Sequence, residues 1–324
     1  MSHFFTFFTN ENGIVTDPSL ADEIAKAMSP PFNFSSAFIY SHGWWTDANS
    51  AANDYNRFSI GFASQLLADR AAANSQLAAI PAASLSTGIH WPSTISENGG
   101  FLSDLLEPAT FFTMETRADD VGQTGVNGLL LAILGQWQSQ GRVGQLTINL
   151  LGHSFGTKVV CSALQSLVAS TAGNPGLLAS VRFNVVLLQA AFDNDDFEPD
   201  QLYCDVPGGI PNLRVLASKS NLDTALGTAY PRAHLLEFFK KTNRIAMGFA
   251  GPTANTESLF GGADQLAITP GINFSSAAAF AHRLVVADLT PLHAANPSHA
   301  DASSGHHSDI YYPEIYSLIG RFIY

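Results

Sequence analysis

The chain has 324 residues, of which 46% are hydrophobic and only 13% charged, a composition that excludes global disorder and supplies ample apolar material for a core. The 15 Lys+Arg against 27 Asp+Glu leave a net charge of −12, the wrong sign for gaining affinity by displacing counterions from phosphate backbones or for a polybasic grip on anionic membranes. No nucleic-acid partner is expected.

The first apolar run, Phe4 to Thr9, lacks the basic start, long greasy stretch and small-residue cleavage site of a secretory signal. It reads as a strand, and a cytoplasmic location is expected. Asp17 caps a helix that starts at Pro18 and runs to about Met28. A strand at Ala37 to Ser41 precedes an alanine-rich helix at Ala51 to Ala79, and a third strand follows at Thr87 to Trp91. After the unpatterned stretch 92–117 come a helix at about Ala118 to Gln140, a strand at Leu146 to Leu151 and a helix at Phe155 to Ser170. Strands at Phe183 to Gln189 and Leu213 to Ala217 lead to a helix at about Thr224 to Lys240. A second unpatterned stretch, 242–281, precedes the strand Arg283 to Leu289 and a proline-started helix at Pro313 to about Phe322.

Several of these strands are apolar without alternation, as burial on both faces of a parallel sheet requires. Alternating strand and helix over the whole length predicts a single three-layer α/β domain, 1–324, with a mostly parallel central sheet and helices on both faces. The stretches 92–117 and 242–281 exceed the ordinary loop length of up to about 15 residues and are candidate lids. No run approaches the roughly 18 apolar residues of a membrane span, the nearest being Gly128 to Gly135, so a soluble chain without a transmembrane segment is expected. Cys161 and Cys204 belong to no C-x-x-C pair and are expected as small buried residues.

The segment that carries chemistry is Thr147-Ile148-Asn149-Leu150-Leu151-Gly152-His153-Ser154-Phe155-Gly156-Thr157, an apolar strand running through Gly-x-Ser-x-Gly into a helix. A match of that pattern arises by chance in roughly 0.1 to 0.2 of chains this size, so alone it is a weak signal. The strand-to-helix context makes it informative, because so tight a turn strains the central residue and leaves no room for side chains at the flanking positions. Glycine at 152 and 156 meets that demand and leaves Ser154 exposed at the carboxyl edge of the sheet. Here the chain resembles the α/β-hydrolase superfamily of serine esterases and lipases, over nearly its whole length.

That resemblance implies a nucleophile, an acid and a histidine in the order Ser, Asp, His. Asp223, in the loop after the strand Leu213 to Ala217, is the preferred acid; the rival is the cluster Asp193, Asp195 and Asp196 after the preceding strand. The base should come from the loop before the last helix. Spacing leaves His293, His299, His306 and His307 open, and His307, followed by Ser308-Asp309-Ile310, resembles the family histidine best. The resemblance further implies an oxyanion site made by the backbone N–H of Phe155 and one from the His42-Gly43-Trp44-Trp45 loop, for which Trp44 is the candidate. Trp45 and His153 are candidate substrate-binding residues, and His42 is expected to brace its loop.

A zinc reading of the tail, through His293, His299, Asp301, His306, His307 and Asp309, lacks ligand spacing suited to one helical face. No Walker sequence or dinucleotide fingerprint is present, so neither a metal nor an organic cofactor is expected. The expected activity is hydrolysis of a small-molecule or lipid carboxylic ester through an acyl-enzyme. An acyltransferase or thioesterase using the same serine, and a non-catalytic binding protein of this fold, are the alternatives.

Overall fold

The structure is a computed structural model that describes residues 2–17, 19–28, 34–44, 46–78, 84–94, 108–141, 145–234, 244–302 and 304–324. Among these residues eight strands form one sheet: β1 (Ser2–Phe8), β2 (Ser36–Ser41), β3 (Ser84–His90), β4 (Leu146–His153), β5 (Val181–Leu188), β6 (Leu213–Lys219), β7 (Ala263–Ala267) and β8 (Leu284–Asp288). Their order is β1-β3-β2-β4-β5-β6-β8-β7, and every pairing is parallel. The sheet is therefore wholly parallel rather than mostly so. Its carboxyl ends all face the same way, which gathers the loops after the central strands at one rim.

Alternate residues of the strands feed two separate cores, one on each face. Ile148, Leu150, Val185, Leu187, Val215 and Val286 pack toward helices α1 (Leu20–Met28), α3 (Pro108–Asp120), α4 (Asn127–Ser139) and α5 (Gly156–Ser170). Leu151, Val186, Leu188, Leu216 and Val285 face α2 (Ala48–Ala71) and the terminal α6 (Pro313–Ile323). These are the three layers of an α/β protein.

Local chemistry explains several boundaries. Asp47 caps α2 by accepting the Ser50 N–H at 2.7 Å, and Pro313 opens α6 in the first-turn position where its missing N–H costs nothing. Helix α2 ends at Ala71, short of the expected Ala79. The helix expected from Ala118 instead starts at Pro108, and a π-helical turn at Val121–Val126 separates α3 from α4. Gly122 lies in that turn with no room for a Cβ, which would stand 2.4 Å from the Val159 oxygen of α5. The wider π turn and the glycine together let the two backbones touch.

Of the stretch 92–117, residues 95–107 lie outside the described residues and the end belongs to α3. The stretch 242–281 is not structureless: it holds short helices at Met247–Ala250 and Ala254–Leu259, then strand β7, which adds an edge to the sheet beside β8. The helix expected at Thr224 to Lys240 is a π-helical turn at Ala225–Ala229 followed by Tyr230–His234, and residues 235–243 lie outside the described residues. Cys161 and Cys204 are both free thiols, the first buried and the second only half-buried. Among the described residues, no helix is long and apolar enough to cross a membrane.

Candidate active site

Strand β4 ends at His153, and the chain turns through Ser154 at φ 55° into α5. A positive φ is uncommon for serine and is held here by the packing around it. A Cβ on Gly152 would stand 2.5 Å from the Gly156 oxygen, and one on Gly156 would stand 2.2 Å from the Ser41 oxygen of β2. The loop after β2 approaches from the same side: a Cβ on Gly43 would stand 2.9 Å from the Ser154 Cβ. The backbone flanking Trp44 is thus pressed against the serine.

Two other loops reach the same rim. After β6, Asp223 is fully buried; its Oδ1 accepts the Leu226 N–H at 2.9 Å. The segment Gly305-His306-His307 lies against it, with Gly305 bridged to Asp223 and the His306 N–H donating to Leu222 O at 3.2 Å. His307 is held between acid and serine. Its Nδ1–H donates to Asp223 Oδ2 at 2.7 Å, and the Ser154 hydroxyl donates to its Nε2 at 2.7 Å. An ionised carboxylate only accepts, which fixes this tautomer and leaves Nε2 as the acceptor facing the serine.

The remaining candidates fall elsewhere. Asp193 accepts the Tyr230 hydroxyl at 3.0 Å and pairs with Arg244, and Asp196 accepts the Asp193 N–H. His306 donates from Nδ1 to Asp309 Oδ2 at 3.0 Å. Burial lowers the pKa of His293, which donates from Nε2 to Asp309 O and accepts the Ser220 hydroxyl on Nδ1. His293, His306 and Asp309 bring ligand atoms within 4.8 Å of one another, as do Asp193, Asp195 and Asp196, but both nitrogens of His293 already serve the fold.

His153 donates from Nε2 to the His307 carbonyl at 2.9 Å, and burial drives its pKa down to about 3, so it is neutral at physiological pH. His42 is buried in the loop after β2, stacked on Trp91, donating from Nδ1 to Gly43 O at 2.7 Å and accepting the Trp91 N–H on Nε2. Its pKa also falls to about 3 through burial, and it braces this loop. Trp44 is buried with its ring edge-on to Phe155 and Phe111. Trp45 lies outside the described residues.

One residue at the centre of this rim carries no sequence signal. Gln189, directly after β5, has φ 45° and is fully buried. Its Nε2 donates to Asp223 Oδ2 at 3.1 Å and to His306 O at 2.9 Å, so one amide ties the acid to the histidine loop. Only its place after the strand between those of Ser154 and Asp223 could have drawn attention to it.

Ser154 is 5% exposed, and it lines a pocket of about 350 Å³ whose walls include the exposed side chains of Ser50, Arg57, Asp301 and Ser308. That volume is within the usual range for small-molecule sites. No family model matches the chain, and a search of curated proteins returned no match. The geometry at the rim therefore carries the functional reading.

Proposed function

We propose that the protein is a cofactor-independent serine hydrolase of the α/β-hydrolase type that cleaves carboxylic esters. The observation that carries this reading is the unbroken chain of hydrogen bonds from the Ser154 hydroxyl through His307 to Asp223, 2.7 Å at each step. A serine hydroxyl needs a base, and the base needs a carboxylate to hold its tautomer and stabilise its cation; these three groups meet that requirement. The fold reading is supported by the sharp turn at Ser154 and by the placement of serine, acid and histidine after β4, β6 and β8 of a parallel sheet.

In this mechanism Ser154 Oγ attacks the ester carbonyl while His307 Nε2 takes its proton and passes it to the leaving alcohol. Asp223 stabilises the imidazolium through the Nδ1–H bond. The backbone N–H groups of Phe155 and Trp44 are the proposed oxyanion donors, groups whose removal typically costs about 100- to 1,000-fold in rate. Water activated by the same histidine then releases the acid. His153 holds the His307 carbonyl and forms part of the pocket wall beside Ser154.

Ser154→Ala should lower turnover of p-nitrophenyl acetate by about 10⁴-fold or more and abolish labelling by a fluorophosphonate, with the thermal unfolding profile retained. Full activity in that variant removes the proposal. Transfer of the acyl group to an added alcohol in preference to water would reassign the same serine to a transferase.

A further inference from the structure

The space around Ser154 has two sides of opposite character. On one side lies a crevice of only about 10 Å³, walled by Trp44, Phe111, Phe155, Leu226 and Tyr230 and touching both Ser154 and His307. It has room for about one water-sized body, so a group of methyl size is near its limit. On the other side the larger pocket is polar. Asp54 and Arg57 stand on α2, Tyr311 and Ser308 flank the histidine loop, and Asp301 and Ser50 complete the wall.

The charges on the polar side discriminate among leaving groups. Arg57 is the pocket's single guanidinium among the described residues, and its positive end already lies 3.9 Å above the Tyr311 ring. The Tyr311 hydroxyl in turn bonds to Asp54. A cationic leaving group would therefore meet an aromatic face already covered by a cation. An anionic one would enter a pocket with two carboxylates against one guanidinium, in a chain of net charge −12. Carboxylates that accept, a guanidinium that donates in a fork, and serine hydroxyls that do both suit neutral vicinal hydroxyls.

Resting on the serine-hydrolase reading, we infer that the substrate is an acetyl-sized ester of a neutral polyhydroxylated alcohol, with the acyl methyl in the apolar crevice and the polyol against Asp54, Arg57 and Asp301. Ser154 bonds to the acetyl carbon, the alkoxy oxygen leaves with the proton carried by His307, and water later replaces the serine oxygen to give acetate.

The test compares two acetates that each place a six-membered ring on the ester CH2, one polyhydroxylated and one apolar, on the purified full chain: methyl glucoside acetylated at its primary hydroxyl, and cyclohexylmethyl acetate. The expected result is a kcat/KM at least about tenfold higher for the glucoside ester. Arg57→Met and Asp54→Asn should each cut that ratio by about tenfold. p-Nitrophenyl acetate should outpace p-nitrophenyl octanoate. Equal or better turnover of cyclohexylmethyl acetate, a preference for acetylcholine or acetoxyacetate, or faster cleavage of the octanoate overturns the inference while Ser154-dependent hydrolysis of p-nitrophenyl acetate persists. Absence of Ser154-dependent turnover and of fluorophosphonate labelling in the wild type overturns the hydrolase reading itself.

Discussion

At the scale of single residues, the buried Asp223 carboxylate is held, among the described residues, by three donors: His307 Nδ1–H, Gln189 Nε2 and the Leu226 N–H. Hydrogen bonds to a buried charged group contribute about 1.5 to 3 kcal/mol each, so losing one donor weakens both the charge and its aim. Gln189→Asn is the informative change, because asparagine tolerates the left-handed backbone at this position but its amide stops one methylene short of Asp223. We expect kcat on p-nitrophenyl acetate to fall by about tenfold with KM little changed, since the amide acts through Asp223 and His307 and not on the substrate. A rise in KM with kcat intact would assign Gln189 to the pocket instead. Ser154 was legible in the sequence because so tight a strand-to-helix turn demands glycines at fixed offsets, whereas Gln189 was not, because donating one side-chain bond to an acid demands no neighbouring residue. Asp223 and His307 stand between these cases: the order of strands narrowed the choice, but only the ring bonds of His307 to Asp223 and Ser154, with the His306 ring turned to Asp309, show which imidazole faces inward.

At the scale of elements, the site depends on β2, β4 and α5 being packed backbone to backbone. Gly156, at the first turn of α5, lies under the Ser41 and His42 carbonyls of the β2 strand and loop, and an added Cβ would stand 2.2 and 2.5 Å from those oxygens. Neither contact is with a flexible side-chain end, so relief requires moving the helix or the loop. Gly156→Ala should therefore destabilise the fold by about 3 kcal/mol or more, measured by denaturant unfolding, and the surviving folded fraction should show reduced kcat as Gly43 shifts from Ser154. Wild-type stability and rate in that variant would mean that the contact relaxes freely. A second constraint anchors the same helix. Lys158 is 1% exposed, and although burial opposes its charge, Asp119 at 3.3 Å and Glu115 at 3.2 Å on α3 outweigh that penalty and hold its pKa above the ordinary value. The long apolar strands announced themselves through continuous hydrophobic runs, but β7, Ala-Asp-Gln-Leu-Ala, did not. As an edge strand it is only half-covered, so pairing to β8 and not its own composition makes it a strand. The π turn at Val121–Val126 was illegible for a related reason: the helical pattern over 118–140 runs straight through it, and the close approach of α5 to Gly122 is a tertiary contact that no local pattern carries.

At the scale of the whole molecule, the response to acid should be set by buried imidazoles and not by the surface charge. Burial lowers the pKa of His42 and His153 to about 3 and that of His234 to about 4, and it also lowers those of His90 and His293. Each binds its proton more weakly when folded than when unfolded, where histidine titrates near about 6.5. Their stabilising contribution is complete above that value and is lost as the pH falls from about 6.5 toward 3 to 4. Asp196 works in the opposite sense. Burial raises its pKa to about 7, so it favours the folded state when protonated, and that contribution is lost as the pH climbs toward 7. Mild acidification also relieves repulsion in a chain of net charge −12, but charges spread over the surface are screened within about 8 Å at physiological salt, whereas the buried rings are not. Among the described residues, five lowered imidazoles against two raised carboxyls, Asp196 and the part-buried Asp54, give a net loss, and we expect the midpoint of thermal unfolding to drop by about 5 °C or more between pH 7 and pH 4.5. His234→Phe keeps an aromatic ring against Phe111 and Tyr230 while removing one titrating group, and should make the drop shallower. Asp196→Asn removes one of the two opposing contributions and should make it steeper. A midpoint that stays level or rises on acidification would show that surface repulsion, and not the neutral interior histidines, governs how this fold answers to protons.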